Sequence, residues 1–325
     1  MESLWELEVN IILFFQSLGD WLTTPFRAIS FLATEQFIIV ITPLVYWCVD
    51  SLMGLRMAFM LVFSGEFNTY FKMLFHSPRP FWFDTEIRSL SQETSFGMPS
   101  GHSQNAASLW GMVAATAKKK WLTICILILI FLIGISRLYL AMHFTRDVLS
   151  GWLFGGLFVL LYLVLEKPVA RWIAPKKLGV QIVIIFLVSI LLIALGFASK
   201  QASAGWQMPT EWIETAALTG GATPDPFNLE GVFTLAGVAF GFMSGYAWLV
   251  KKYGQPKVEG SAMKRFLRFI VGIVGVFILY LGLKMIFPEE PLALGFALRY
   301  VRYTLIGFWV SALAPVLFIK LKLNK

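Results

Sequence analysis

Long apolar runs constrain the fold of this chain more than any other feature. Two of them, 178–198 and 269–287, are each long enough to cross the roughly 30 Å hydrocarbon layer of a bilayer as a helix. Only 14% of the residues are charged, whereas a soluble domain carries about a quarter. Shorter or more polar candidates lie near 9–33, 36–49, 53–75, 101–117, 121–140, 146–165, 231–250 and 294–319. The runs predict an all-α, polytopic transmembrane protein of about ten helices.

The formal net charge of +8 is concentrated in the connections between these runs. Basic clusters, for example at 118–120 and 251–268, alternate with acidic or neutral connections at 201–230 and 288–293. Lysine and arginine accumulate in the cytoplasmic loops of membrane proteins. The charge therefore predicts a multi-pass protein of the cell (inner, cytoplasmic) membrane, and it gives no reason to expect a nucleic-acid partner.

This alternation places the connection 77–99 and the start of 143–147 on the same, non-cytoplasmic side of the membrane. The connection 77–99 is long, polar and aromatic, which suits the membrane interface. A second outer connection, 201–230, is too polar to span, although its stretch TEWIETAAL can form a short helix lying on the surface.

A histidine and an aspartate stand four residues apart at the start of one run, at His143 and Asp147. Positions i and i+4 share one helix face, so Asp147 can reach one imidazole nitrogen of His143 and leave the other deprotonated. Arg137, just upstream, offers a planar fork of donors that matches phosphate oxygens. The pattern favours nucleophilic attack on a phosphate. The alternative is a helix-end ion pair between Arg146 and Asp147, with a polar histidine nearby.

Two further motifs precede this pair and map to the same membrane boundary. One ends an apolar run and places the cations Lys72 and Arg79 there. The other opens the next run with the sequence Pro-Ser-Gly-His, 99–102. Proline and Ser100 are good helix starters, Gly101 lets a ligand approach the backbone, and a helix N-terminus favours anions. The three motifs together indicate a phosphate site.

The three motifs resemble those of the type 2 phosphatidic acid phosphatase superfamily, which includes bacterial lipid phosphatases, glucose-6-phosphatase and the vanadium haloperoxidases. The family pattern KxxxxxxRP, PSGH and SRxxxxxHxxxD reads here KMLFHSPRP, PSGH and SRLYLAMHFTRD. The resemblance covers roughly residues 30–165 and implies a six-helix core, followed here by about four additional C-terminal transmembrane helices. We accordingly expect a catalytic core at 1–177 and additional helices of unknown role at 178–325.

The resemblance also implies a role for each motif residue. His143 would be the nucleophile that forms a phosphohistidine, Asp147 would orient it, and His102 would protonate the leaving oxygen and later activate water. Five residues would hold the phosphate: Lys72, Arg79, Ser100, Gly101 and Arg137. The sequence offers no cluster of Asp, His or Cys typical of a metal cage, so neither a metal nor another cofactor is expected.

These observations predict a membrane phosphatase that hydrolyses a lipid phosphate or diphosphate, with its active site facing away from the cytoplasm. The candidate substrates are polyprenyl diphosphate, phosphatidate and phosphatidylglycerophosphate, with the first ranked highest by family analogy alone. Two alternatives remain open. One is lipid phosphotransfer through the same phosphohistidine, and the other is a transporter or scaffold in which the C-terminal helices carry the main function. The intact charged positions argue against a purely structural role.

A few residues outside the motifs carry further expectations. Small residues recur at four-residue spacing in two runs and predict close helix packing: Gly151 and Gly155, and Gly237, Gly241 and Gly245. His76 is expected to be a polar interface residue. Arg299 and Arg302, near the start of the last run, would either meet lipid phosphates or pair with Glu289 and Glu290, and the pairing is the favoured interpretation.

Overall fold

The computed structural model describes residues 2–323, and every regular element in that range is helical. The helices, in chain order, are α1 (Glu2–Ser17), α2 (Thr23–Phe31), α3 (Glu35–Cys48), α4 (Ser51–Phe59), α5 (Gly65–Phe75), α6 (Pro80–Phe83), α7 (Gly101–Asn105), α8 (Gly111–Thr116), α9 (Lys120–Tyr139), α10 (Thr145–Ile173), α11 (Leu178–Ala202), α12 (Thr210–Leu218), α13 (Glu230–Tyr253), α14 (Ala262–Ile286), α15 (Leu292–Phe308) and α16 (Ala314–Lys320). The all-α prediction is confirmed for the described residues.

Three pairs of these helices are continuous through a π-helical turn. The turns are Met60–Ser64 between α4 and α5, Ala106–Trp110 between α7 and α8, and Trp309–Leu313 between α15 and α16. The runs predicted at 53–75 and 101–117 are therefore single interrupted helices. The stretch TEWIETAAL forms α12, as expected.

Six helical stretches within residues 2–323 are long and apolar enough to cross a membrane: α9, α10, α11, α13, α14 and Leu292–Lys320. A seventh span results if Asp20–Phe31 and α3, which meet at 44°, are counted as one. The protein is a multi-pass membrane protein. The helix predicted over 9–33 is interrupted, because Gly19 has a φ of +100°, a conformation that glycine adopts without the penalty of a Cβ.

One compact unit comprises the described residues up to 38 together with 67–161 and 197–228. Within it, α9 packs against α1, α2, α7 and α8, and α12 packs against α6. Its apolar core lies beneath the turn that joins α9 to α10, with Phe81, Trp82, Phe96, Tyr139 and Phe144 all fully buried. This core includes Phe144, which directly follows His143.

The other unit comprises 39–66, 162–196 and the described residues from 229 onward. Here α13 packs along α15, and the glycine stripe of α13 lies at the contact. A Cβ on Gly237 would stand 2.6 Å from Tyr300 O, and one on Gly241 would collide with the Thr304 backbone. The prediction of close helix packing is confirmed for this stripe.

The partners predicted for the two arginines of α15 are wrong. Arg299 Nη2 pairs with Glu230 Oε2, because the start of α13, where Glu230 lies, packs beside α15. The Arg302 guanidinium lies 5.7 Å from the Tyr280 ring centroid and 5.2 Å from that of Tyr303, a cation–π arrangement.

The two units interleave along the chain, since 197–228 belongs to the unit that contains the motifs. These units are defined by packing alone and say nothing about the role of the parts on either side of residue 177, where the sequence predicts a division. The assignment of 1–177 to catalysis and of 178–325 to another role stays a prediction.

Candidate active site

His143 and Asp147 lie at the turn that leads from α9 into α10. His143 Nδ1 stands 3.6 Å from Asp147 Oδ2, and the two side chains are 2% and 0% exposed. The same carboxylate oxygen accepts a hydrogen bond from the Phe144 amide at 3.0 Å. His143 therefore precedes the helix, and Asp147 caps its first turn while facing the imidazole.

Arg146 has a different partner from the one considered in the sequence. Its Nε stands 3.2 Å from Glu8 Oε2, its amide donates to Glu8 Oε1 at 3.1 Å, and its guanidinium lies 3.4 Å from the Trp5 ring centroid. Helix α1 thus holds Arg146 and leaves the Asp147 carboxylate to the imidazole and the Phe144 amide. The helix-end ion pair between Arg146 and Asp147 is not formed.

Arg79 occupies the other side of the imidazole and is 1% exposed. Its Nη1 donates to Met142 O at 2.9 Å and lies 3.5 Å from His143 Nε2. Its Nε donates to Ser95 O at 2.6 Å, and its Nη2 donates to Ser95 Oγ at 3.1 Å. The imidazole nitrogen that faces away from Asp147 therefore faces a guanidinium.

Lys72 shares its acceptors with Arg79. Lys72 Nζ donates to Phe96 O at 2.6 Å and to Ser95 Oγ at 3.0 Å, and Arg79 Nη2 also reaches Phe96 O at 3.3 Å. Both cations are buried. Residues 95–96, in the long connection 77–99, thus hold the two neighbouring basic side chains in place.

Arg137 is the third buried cation, with 3% exposure. Its Nη1 donates to Ser30 Oγ of α2 at 2.6 Å, whereas its Nε has no hydrogen-bond partner among the described residues. A buried guanidinium with an unused donor is suited to bind an anion.

Ser100 connects the second motif to the third. Its amide donates to Asp147 O at 2.9 Å, and its Oγ caps α7 by accepting from Ser103 N at 3.3 Å and from Ser103 Oγ at 3.0 Å. Because Ser100 Oγ accepts both bonds, its own hydroxyl proton remains able to donate to a ligand. His102 is the second residue of α7.

Helix α10 approaches α7 closely because two of its residues are glycines. A Cβ on Gly151 would stand 2.7 Å from Ser100 O, and one on Gly155 would stand 2.6 Å from Gln104 O. The close packing predicted for this pair is confirmed. Gly101, in turn, faces Asn68 Oδ1, which a Cβ would approach to 3.3 Å.

Burial lowers the pKa of His143 well below its ordinary value, and nearby charges lower it further: those of Arg79, Lys72, Arg137 and His102. The imidazole is therefore neutral around pH 7. With Nδ1 facing the Asp147 carboxylate, the geometry favours the tautomer that carries its proton on Nδ1. That tautomer leaves a lone pair on Nε2, toward Arg79.

Glu93 is a site residue that the motifs did not indicate. Its Oε2 lies 3.5 Å from Arg79 Nη2, and its side chain is 33% exposed. Burial raises the pKa of Glu93, but the charges of Arg79, Lys72 and Arg137 outweigh this and hold it below its ordinary value. Ser30, Ser95 and Glu8 were missed as well, because no sequence spacing links them to the residues they contact.

The fold and the site together define a multi-pass membrane protein in which buried basic side chains surround one buried histidine. Residues 53–171 match the family model of the PAP2 superfamily, and residues 233–325 match the model described as PAP2 superfamily phosphatase, transmembrane extension. The chain belongs to the PAP2 superfamily and is a membrane phosphatase, that is, a phosphoric ester hydrolase.

Several phosphatases are similar to this chain. Phosphatidylglycerophosphatase B of Bacillus subtilis is 30% identical over 47% of this chain and 79% of its own length. Lipid A 4'-phosphatase of Bacteroides thetaiotaomicron is 24% identical over 53% of this chain and 82% of its own. Human glucose-6-phosphatase 3 is 26% identical over 48% of this chain, a match that spans only 52% of that protein.

One solved structure is also similar to part of the chain. It is the crystal structure of the first transmembrane PAP2 type phosphatidylglycerolphosphate phosphatase from Bacillus subtilis. The match has a TM-score of 0.45 and 26% sequence identity, and it covers 53% of this chain and 90% of the other.

Proposed function

We propose that this membrane phosphatase hydrolyses a lipid phosphomonoester on the non-cytoplasmic side of the membrane, through a phosphohistidine formed at His143. One observation carries the proposal. His143 Nε2 faces Arg79, while Nδ1 faces the Asp147 carboxylate. An oriented, neutral imidazole beside a guanidinium is a nucleophile placed next to a phosphate-binding group.

In the first step, the lone pair of His143 Nε2 attacks phosphorus. The bond from phosphorus to the lipid oxygen breaks, its electron pair stays on that oxygen, and His102 supplies the proton that converts it to an alcohol. Asp147 stabilises the positive charge that the imidazole gains when Nε2 is phosphorylated and Nδ1 keeps its proton. The acid role of His102 follows the family resemblance, and its place on α7 among the motif residues is consistent with that role.

In the second step, a water molecule gives a proton to His102 while its oxygen attacks phosphorus. The phosphorus–Nε2 bond breaks, and inorganic phosphate leaves the restored His143. In both steps three buried cations would neutralise the equatorial oxygens as phosphorus becomes five-coordinate: Lys72, Arg79 and Arg137. The resemblance assigns the Ser100 hydroxyl and the Gly101 amide to the same phosphate.

The names of the relatives support a phosphomonoester as substrate. They act on phosphatidylglycerophosphate, lipid A and glucose 6-phosphate, and the first two of these are lipids. We therefore rank phosphatidylglycerophosphate and phosphatidate above polyprenyl diphosphate, which reverses the order suggested by the sequence. A lipid substrate also suits catalytic residues that lie at the ends of apolar helices, where a headgroup meets the bilayer surface.

The orientation in the membrane rests on the distribution of basic residues. The connection 118–120, at the opposite end of α9 from His143, carries three lysines. The positive-inside rule assigns that connection to the cytoplasm and the catalytic turn to the other side.

Phosphate release from detergent-purified protein tests the function. The substrates would be phosphatidylglycerophosphate, phosphatidate, a polyprenyl diphosphate and a soluble aryl phosphate. We expect release from the lipid monoesters and none from His143→Ala, with Arg171→Ala, an exposed position at the far end of α10, as an active control. Full activity of His143→Ala would refute the nucleophile, and release from the soluble ester alone would refute the lipid substrate.

A further inference from the structure

Residues 203–227, the central part of the second outer connection, lie between the two ranges that match the PAP2 family models. Nothing in the three motifs assigns it a role. In the structure it belongs to the same compact unit as the motifs, and its helix α12 packs against α6, which follows Arg79 directly. This segment is therefore a neighbour of the phosphate site although it lies far from it in sequence.

Hydrogen bonds join the 203–227 segment to the first outer connection, 77–99, and to the end of α5. Asp225 N donates to Thr94 O at 2.9 Å, next to Ser95. Further bonds run from Ser203 Oγ to Met73 O (2.7 Å), from Thr219 Oγ1 to Phe81 O (2.8 Å), and from Gln92 Nε2 to Gly220 O (2.9 Å). All four acceptors are backbone carbonyl oxygens, so the bonds fix the path of the chain around the cations.

An aromatic cluster, which we call the Phe96 cage, reinforces this attachment. Trp206 stacks on His76 with ring centroids 4.5 Å apart and an interplanar angle of 8°. The Phe96 ring meets Trp206 and Phe227 edge-on, each at 5.4 Å, and meets His76 at 5.4 Å as well. The cage thus consists of His76, Trp206 and Phe227 around Phe96, which is fully buried. The expectation that His76 is a polar interface residue stays a prediction, and the structure adds that its ring stacks on Trp206.

Phe96 connects the cage to the phosphate site. Its ring is held by the cage, while its carbonyl accepts hydrogen bonds from Lys72 Nζ and Arg79 Nη2. The ring and the carbonyl are joined through a single Cα, so a ring that shifts moves the acceptor shared by both cations. Two like charges that share one acceptor repel each other, and a displaced acceptor would let them separate.

We propose that the 203–227 segment is a positioning element of the active site: through the Phe96 cage it holds Lys72 and Arg79 in the arrangement that receives phosphate. This inference rests on the proposed function, because it concerns the cations assigned to the substrate. Electrostatic stabilisation of a transition state requires charges that are in place before the reaction begins. The segment supplies that preorganisation from outside the motif-bearing helices.

Trp206→Ala, measured in the full-length, detergent-purified protein, tests the proposal. Removing the indole empties one wall of the cage, and we expect kcat/KM to fall on the order of 10-fold or more, since small misplacements of catalytic groups have effects of this size. The inhibition constant for inorganic phosphate should rise as well, because phosphate uses the same cations. Trp206→Phe should restore most of both values, and Trp172→Ala, at an exposed tryptophan of α10, should leave them unchanged.

A purely structural role of the cage would lower the melting temperature without these effects. A double-mutant cycle of Trp206→Ala with Ser95→Ala separates the two roles, because Ser95 Oγ accepts from both cations. The losses in kcat/KM should be non-additive if the cage acts through residues 95–96, and additive losses would overturn the proposal. Should Trp206→Ala not fold, Phe227→Leu, which removes another ring that packs on Phe96, provides the same measurements.

Failure of this proposal is distinguishable from failure of the proposed function. Wild-type kcat/KM and phosphate inhibition in a folded Trp206→Ala protein, with His143→Ala inactive, would overturn the positioning role alone. If the wild type released no phosphate from any lipid, protection against heat by inorganic phosphate would replace kinetics as the measurement. Protection that is equal in the wild type and in Trp206→Ala would then refute the positioning role.

Discussion

Replacing Arg79 by lysine keeps the charge of this residue but removes its geometry. The guanidinium spreads its bonds over three nitrogens, which reach Ser95 O, Met142 O and Ser95 Oγ, and Nη1 also faces His143 Nε2. An ammonium group has a single nitrogen on a shorter reach and cannot occupy these positions together. Arg79→Lys therefore separates the role of charge from the role of the planar fork.

Two effects of Arg79→Lys follow from these contacts. Ser95 O and Met142 O would lose their donors inside the protein, and each buried acceptor without a partner costs about 1–3 kcal/mol of stability. Loss of one oriented donor to the transition-state oxygens lowers kcat by about 10²–10³-fold in comparable sites. We expect a folded protein with a lower melting temperature and kcat reduced on the order of 10²-fold.

Phosphate release from a lipid monoester, measured at saturating substrate beside a thermal melt, checks both effects. Arg171→Lys is the matched control, because Arg171 is exposed at the far end of α10 and should change neither value. Arg79→Lys protein that keeps its melting temperature and most of its kcat would refute the reasoning, since charge alone would then suffice.

Four further predictions follow from the site and its packing. Asp147→Asn removes the charge that faces His143 Nδ1 but keeps an acceptor for the Phe144 amide. We expect kcat to fall by about 10²-fold or more with little change in the melting temperature. An unchanged kcat would show that catalysis does not use the carboxylate charge. Gly155→Ala would place a Cβ 2.6 Å from the Gln104 backbone oxygen and should destabilise the protein by about 1–3 kcal/mol. The control Gly156→Ala, whose Cβ would have no atom within 4 Å, should be neutral or stabilising, and equal melting temperatures of the two variants would contradict the packing. Because the pKa of His143 is lowered, its imidazole becomes protonated, and so loses its free lone pair, only below the ordinary histidine pKa of about 6.5. The fall of kcat/KM on the acid side should therefore lie below that pH in the wild type and shift to higher pH in Arg79→Ala, which removes one of the charges that lower this pKa. A fall that lies above pH 6.5 in the wild type would contradict the assignment. Activity should survive excess chelator, because buried cations supply the positive charge at the phosphate, and a loss that magnesium restores would count against this expectation.

The sequence predicts the local part of the site well. The spacing of His143 and Asp147 brings them together because it is short, and Ser100 at a helix start is a local capping preference. The long apolar runs likewise report the membrane-spanning helices, since span length follows from bilayer thickness. The interruption at Gly19 was missed because the apolar residues on both sides outweighed the turn-forming sequence Ser-Leu-Gly-Asp at 17–20.

Long-range partners could not be predicted in the same way. Arg146 pairs with Glu8 and Arg299 with Glu230, and in each pair the residues come from distant parts of the chain. The acceptors of Lys72 and Arg79 are mostly main-chain oxygens, which carry no sequence signature. Their identity follows from the path of residues 95–96 past the two side chains, which only the tertiary structure sets.

The bond between the Ser100 amide and Asp147 O has a practical consequence for protein engineering. It closes a loop in which the chain leaves the candidate active site at the start of α7, runs through α8 and α9, and returns to the site at the start of α10. The exposed residues Lys118 and Lys119 form the turn at the remote end of that excursion. A fluorescent label or a short peptide tag inserted there would lengthen the chain without altering any distance between the catalytic groups, so this turn is the natural attachment point for reporting on the enzyme in intact membranes.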